Sequence, residues 1–148
     1  MIPIRAILYP TDFSPYSNQA YFHAVGLAAA HGASLTVVYV FDSGSTDAAG
    51  GDRDYWRDQL EQVRPDNPGI AVNHVLLDGD PATAIARYSA DAGIDLIVIG
   101  THGRTGEERL RMGSVAEKVM REAPCSVLVV KLPKRSGAGT SPDAIVNS

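Results

Sequence analysis

The chain contains little cysteine and no long hydrophobic run. Cys125 is the only cysteine among 148 residues, so no disulfide can form within one chain. A chain of this length buries about 70% of the surface that its unfolded form exposes, so it needs no crosslink or structural metal to fold. Arg5, Asp42 and Asp95 interrupt the strongest apolar segments, and no stretch reaches the roughly 18–20 apolar residues of a membrane span. We therefore expect no membrane-spanning segment.

An excess of basic residues is also absent. The sequence has 13 Lys and Arg against 17 Asp and Glu, a formal net charge of -4 at pH 7. This balance argues against a protein whose main task is to neutralise nucleic-acid phosphates. Residues Met1–Arg5 lead directly into a short apolar segment rather than into an export signal. Together with the single cysteine, this predicts a cytoplasmic protein.

Five short apolar segments rich in β-branched residues recur along the chain. Most of them are continuous rather than alternating, which is typical of strands that are buried on both faces of a sheet. The predicted strands are Ile4–Tyr9, Leu35–Phe41, Ile70–Leu77, Leu96–Ile99 and Val127–Val130.

Segments with helical signals separate the predicted strands. In the first of them Ser14 is a predicted N-cap, Pro15 stands at the first helical position and Gly32 marks the end. Strands that alternate with helices predict right-handed βαβ units and an open parallel sheet. We expect one domain over residues 1–131 and a flexible tail over residues 132–148. The other three helices are predicted over Asp52–Arg64, between Asp80 and Gly93, and from Ser114 to before Pro124.

A glycine-rich loop follows the predicted fourth strand, where open α/β sheets place their ligands. It begins at Gly100 and ends at Gly113, and Ser114 then opens the last helix. Glycine lets backbone N–H groups approach an anion, and a helix N-terminus adds unpaired donors, so a di- or triphosphate is a suitable ligand. The loop matches neither the P-loop nor the dinucleotide pattern. Ser114 and Glu117 also match a capping box, which leaves a purely structural role as the alternative.

The spacing Gly100-x2-Gly103-x9-Gly113-Ser114 resembles the G-2x-G-9x-G-(S/T) motif of the ATP-binding universal stress proteins. The resemblance implies a flavodoxin-like, three-layer α/β/α domain with a parallel sheet of order 3-2-1-4-5 and helices on both faces. It implies a nucleotide-responsive stress or signalling module that holds ATP between the first and fourth strands. Further segments similar to the family are Ile7–Ser14, Asp78–Pro81, Asp95–Gly100 and Ala123–Val130.

The same resemblance assigns site residues and partners. It implies that Mg²⁺ or Mn²⁺ binds through the phosphates, that a second copy pairs along the edge strand Val127–Lys131, and that an unidentified protein is regulated. The residues that it places around the nucleotide are Pro10, Thr11, Asp12, Val40, Gly100, His102, Gly103, Arg104, Gly113, Ser114, Val115 and Ala116. Of these, the first three would lie near the adenosine, Val40 would offer its backbone to adenine, and the last four would cradle the phosphates.

Two other functions remain open at the level of the sequence. A slow ATP hydrolase, or a phosphoryl or nucleotidyl transferase, needs a placed base or water-orienting group, and only His102 and Asp12 are candidates. A scaffold that binds no nucleotide would use the glycines only to shape a loop. Asp12 directly after a strand also fits an Asx turn, and Cys125 is predicted to fill a small buried space.

Overall fold

The computed structural model describes residues 3–41, 52–101 and 113–131. Strands and helices alternate through these segments. Residues 42–51 and 102–112 and the predicted tail at residues 132–148 lie outside them. The elements are β1 (Ala6–Pro10), α1 (Pro15–His31), β2 (Ser34–Phe41), α2 (Arg53–Glu61), β3 (Val72–Asp78), α3 (Pro81–Asp91), β4 (Leu96–Thr101), α4 (Ser114–Glu122) and β5 (Ser126–Lys131).

The strands form one parallel sheet of order β3-β2-β1-β4-β5. This confirms the predicted flavodoxin-like α/β architecture. The chain adds strands outward from β1 to β3, then crosses back to place β4 on the other side of β1. No helix among the described segments is long and apolar enough to cross a membrane.

Each face of the sheet carries its own apolar core. Ile7 and Leu8 of β1 point to opposite faces, and both are fully buried. On the Ile7 face lie small residues of α1, such as Ala24, together with Leu60 of α2. On the Leu8 face lie residues of α3 and α4, including Val119. Burial on both faces explains why the strands read as continuous apolar runs.

The caps of α1 follow the local signals closely, whereas the predicted end of α2 does not. The Ser14 hydroxyl accepts a hydrogen bond from the Ser17 N–H, and Gly32 ends α1 with φ 66°. The predicted end of the second helix at Arg64 is wrong, since α2 ends at Glu61. Arg64 precedes Pro65, which disfavours helical backbone at that residue.

Candidate functional site at the carboxyl edge of the sheet

The two central strands part at their carboxyl ends. β1 pairs with β4 only at Ile7↔Leu96 and Leu8↔Ile97. Its pairing with β2 continues to Pro10↔Val38, and β4 continues along β5 to Thr101↔Lys131. Ligands of open α/β sheets bind at this point, where the strand order reverses, and we call the region between the carboxyl ends of β1 and β4 the cleft.

Pro10 explains why this ladder stops. Backbone groups of alternate β1 residues face opposite neighbours: the Ala6 carbonyl accepts from the Asp95 N–H on the β4 side, and the Thr11 N–H donates to the Val38 carbonyl of β2. Pro10 follows Ala6 by four residues, so its backbone groups also face β4. Because proline has no N–H, it cannot donate the next hydrogen bond of that ladder.

The same alternation leaves a backbone donor and acceptor at the end of β2. The Val38 carbonyl faces β1, where it accepts from the Thr11 N–H at 2.8 Å. Val40 lies two residues further and directs its own N–H and C=O to the same side, beyond the last β1–β2 pair. Its side chain packs on the Leu8 face of the sheet. Val40 thus presents a donor next to an acceptor at the edge of the cleft.

The turn from β1 into α1 is held by its own side chains. The Thr11 hydroxyl accepts from the Phe13 N–H at 3.0 Å and lies 3.2 Å from the Ser17 hydroxyl oxygen. Thr11 is 7% exposed, so its side chain serves the turn itself. Asp12 accepts from the Ser14 N–H through Oδ1 at 2.9 Å and is half-buried. The Asx turn is present, and Oδ2 makes no hydrogen bond with any described residue.

The start of α4 differs from its predicted form. Gly113 occupies the N-cap position with φ -60° and ψ -42°, and no side chain caps the helix. Ser114 is the first helical residue and is exposed, so the predicted Ser114–Glu117 capping box is wrong. A capping side chain needs extended backbone, which Ser114 lacks within the helix. Among the described residues, no side chain caps the first turn of α4, and Ala116 packs against the sheet.

Two ion pairs at this edge join residues that are distant in sequence. Lys118 of α4 donates to Asp80 Oδ2 at 3.2 Å and to Thr83 Oγ1 at 3.3 Å, at the start of α3. Hydrogen bonds from Thr83, followed by the one from Lys118, lower the pKa of Asp80. Arg53 of α2 makes a bidentate pair with Asp78 at the end of β3, with distances of 3.0 and 2.8 Å. The sequence analysis missed both pairs, because the partners lie 25 and 38 residues apart.

The remaining predicted residues divide into described and undescribed positions. Gly100 is buried in β4 and pairs with Val130, and Val115 is half-buried beside Ala116. His102, Gly103 and Arg104 lie outside the described residues. Within those residues, no group of three or more His, Cys, Asp or Glu side chains is placed to hold a metal ion.

Cys125 departs from the predicted buried filler. It packs against the Leu8 face but is only partly buried. Burial raises the pKa of its thiol, and a hydrogen bond with Ser89 opposes that shift. The thiol is therefore poorly ionised at neutral pH and is no candidate nucleophile.

The sequence analysis also missed the packing of Phe13 and Trp56 beside the β1–α1 turn. Phe13 has φ 64°, and it is the one described non-glycine residue with positive φ. Its ring packs with those of Tyr39 and Trp56. Sequence spacing offers no signal for this cluster, since its members come from three separate segments.

Comparisons with known proteins agree with this fold. The profile of the universal stress protein family matches residues 3–131. A universal stress protein of Methanocaldococcus jannaschii is 35% identical over 143 residues, covering 88% of this chain and 84% of that protein. Among solved structures, UspA from Lactobacillus plantarum is 28% identical with a TM-score of 0.70, covering 88% and 99% of the two chains. A universal stress protein from Archaeoglobus fulgidus, solved in complex with dAMP, shares the fold at 21% identity and a TM-score of 0.63, covering 88% and 100%.

Proposed function

The chain belongs to the universal stress protein family, and from that premise we propose that it binds ATP in the cleft between β1 and β4. It acts as a nucleotide-responsive stress or signalling module. The observation that carries the proposal is the parting of β1 and β4 at Pro10. The uncapped start of α4 lies at the same edge of the sheet, because α4 runs back from that edge towards the start of β5.

The adenosine half of the ligand fits the end of β2 and the β1–α1 turn. The edge of adenine presents a ring acceptor beside an amino donor, which is complementary to the N–H and C=O of Val40. Asp12 has a carboxylate oxygen that can accept from a ribose hydroxyl while Oδ1 keeps its bond to Ser14. Pro10 and Thr11 would form the floor of this part of the cleft. The dAMP complex of a protein with the same fold makes adenine nucleotides the first ligands to test.

The phosphate half fits the first turn of α4. The N–H groups of Ser114, Val115 and Ala116 have no side-chain cap, and the positive end of the helix dipole favours an anion there. Gly113 has no Cβ, so a phosphate can approach its backbone closely. Gly100, His102, Gly103 and Arg104 complete the proposed lining. When bound, ATP supplies a triphosphate through which Mg²⁺ or Mn²⁺ is held.

The first test is Gly113→Val with ATP and Mg²⁺ titrated by calorimetry. Gly113 has φ -60° and ψ -42°, which valine adopts without strain, so the variant should fold. Hydrogen bonds to a charged group are worth about 1.5–3 kcal/mol, so losing one weakens binding about 10- to 150-fold. Gly26→Val is the matched control, because a Cβ at Gly26 meets nothing within 4 Å. Unchanged affinity in a folded Gly113→Val protein would show that the phosphates bind elsewhere.

A second measurement separates ATP binding from the alternative functions. Freshly purified protein is denatured and the released small molecule is identified by chromatography and mass. Released ATP supports a module that holds nucleotide. Released ADP or AMP, with phosphate release from added ATP, favours a slow hydrolase or transferase. If nothing is released and apo protein binds no nucleotide, the chain is an interaction scaffold.

We also infer that two copies pair along β5. Among the described strands, β5 forms one edge of the sheet and pairs with β4. Leu128 on it is a large apolar side chain with 37% exposure. An edge strand with unpaired backbone groups favours pairing with another chain, and a twofold dimer is the commonest such assembly. Action in the cytoplasm on an unidentified protein partner belongs to the same proposal.

A further inference from the structure

The backbone of Phe13 adopts a conformation that side chains disfavour. Its φ is 64°, in the left-handed region, whereas the other described residues with positive φ are glycines. A Cβ in this region crowds the following carbonyl oxygen, so the conformation costs energy for phenylalanine and not for glycine. Such a residue persists only where its surroundings hold it.

Two aromatic rings hold Phe13 in place. The centroid of its ring lies 5.0 Å from that of Tyr39 and 5.3 Å from that of Trp56. Tyr39 and Trp56 themselves stack at 5.0 Å with an interplanar angle of 26°. We call these three residues the aromatic triad. Aromatic pairs at these distances attract beyond the area that they bury, so the triad offsets the cost of the left-handed backbone.

The conformation of Phe13 determines where Asp12 lies. The Phe13 N–H donates to the Thr11 hydroxyl, and the next N–H, on Ser14, donates to Asp12 Oδ1. The Thr11 hydroxyl is itself anchored against Ser17, which is fully buried. Rotation about φ of Phe13 would swing the Ser14 N–H away and release the Asp12 carboxylate. The packing of the Phe13 ring therefore determines the position of the Asp12 carboxylate at the cleft.

We propose that Phe13 is a positioning residue for nucleotide binding: the aromatic triad keeps its backbone left-handed and thereby fixes Asp12 at the β1–β4 cleft. This inference rests on the proposed function. It gives α2 a role at the site through Trp56, although α2 is separated from Asp12 by β2 and α1 in sequence. Phe13 acts through Asp12 and does not itself contact the ligand.

The test compares Phe13→Tyr, Phe13→Gly and Phe13→Ala. Tyrosine keeps the ring and should bind ATP within about threefold of wild type. Glycine loses the ring but populates the left-handed region freely, whereas alanine loses the ring and keeps the penalty. Phe13→Gly should therefore bind about five- to tenfold more tightly than Phe13→Ala. A role in packing alone predicts the reverse order, because glycine leaves the larger cavity.

Two controls separate positioning from loss of structure. Urea denaturation, followed by the emission of Trp56, gives the stability of each variant; Trp56 is the only tryptophan. Backbone NMR of residue 13 in the free protein reports whether φ stays positive, with the Gly and Tyr variants expected to keep it and the Ala variant to lose it. Phe22→Ala, on the exposed side of α1, should leave the affinity unchanged.

The outcomes distinguish this inference from the function on which it rests. A wild-type chain that binds no adenine nucleotide overturns both. Wild-type binding with Phe13→Ala equal to or tighter than Phe13→Gly overturns the positioning role alone. If Phe13→Ala fails to fold, Trp56→Phe and Trp56→Ala repeat the comparison: the positioning role requires that phenylalanine preserve affinity and that alanine weaken it, and equal affinities overturn it.

Discussion

At the scale of single residues, two backbone properties shape the candidate site. Pro10 lacks the N–H that would extend the β1–β4 ladder, and Phe13 takes a backbone conformation that glycine would adopt more easily. Neither effect depends on the charge or polarity of a side chain. Asp12, whose carboxylate can bind a ligand, thus lies between two residues that act through their backbone.

Two glycines give a test of conformational arguments away from the cleft. Gly26 lies inside α1, where an added Cβ meets nothing within 4 Å, whereas Gly32 ends the helix with φ 66°. We expect Gly26→Ala to raise the free energy of unfolding by about 0.5–1 kcal/mol. Gly32→Ala should lower it by about 1 kcal/mol or more, because alanine is strained at positive φ. Urea denaturation of both variants makes the comparison, and a destabilised Gly26→Ala protein would show that this face of α1 is covered.

At the scale of elements, exposed ion pairs tie helix starts to neighbouring elements. The Lys118–Asp80 pair joins α4 to α3, and the Arg53–Asp78 pair joins α2 to β3. Their side chains are between 38% and 58% exposed, so solvent screens them and each contributes little to stability. Both pairs lie at the carboxyl edge of the sheet, where the ligand is proposed to bind.

The lowered pKa of Asp80 predicts that the stability contributed by the Lys118–Asp80 pair depends on pH. Hydrogen bonds from Thr83 and Lys118 lower the folded-state pKa below 3.8. The associated stabilisation is therefore present above pH 4 or so, and is lost as the pH falls through the folded-state pKa. Asp80→Asn keeps an N-cap but removes the charge. Urea denaturation at pH 7 should show wild type as more stable than Asp80→Asn, with the difference fading as the pH falls through the folded-state pKa of Asp80.

A matched variant identifies the partner of that charge. Lys118→Met removes the ammonium group and retains a long apolar stem. The pH-dependent difference between aspartate and asparagine at position 80 should be smaller in the Lys118→Met background. A difference that is the same at pH 7 and at low pH would mean that the geometry of the cap matters and its charge does not.

At the scale of the whole molecule, the order of the strands creates both the cleft and the edges. Because the chain crosses back after β3, β1 and β4 become central and β5 becomes an outer strand. The candidate ligand site and the candidate dimer surface thus follow from one topological feature. They also lie close together in space, because β5 pairs with β4 along the full length of β4.

The dimer inferred along β5 can be tested by a charge at its edge. Leu128→Lys should give a folded monomer by light scattering, because lysine on an edge strand opposes pairing. Asn73→Lys, at an exposed position on β3 at the other edge, is the matched control and should leave the dimer intact. Val129→Pro, which removes a backbone donor from β5, should give a monomer or an unfolded chain. A folded dimer of Leu128→Lys and Val129→Pro would place the interface elsewhere.

Much of the architecture was predictable because it depends on local patterns. Continuous apolar runs mark strands buried on both faces, and the caps at Ser14 and Asp80 require only a few adjacent residues. The Gly100–Ser114 spacing predicted the family. The start of α4 was predicted wrongly. A serine with a glutamate three residues later matches a capping box even where, as here, the preceding glycine occupies the N-cap position.

The sequence by itself determined the alternation of strands and helices, the caps at Ser14 and Asp80 and the glycine spacing, since each depends on neighbours along the chain. Only the tertiary structure decided which backbone groups of Pro10 and Val40 face the cleft, and it alone brought Phe13 against Trp56. The same is true of Lys118 and Asp80, which lie 38 residues apart. These features depend on strand register and on packing between distant segments, which the chain acquires only when it folds.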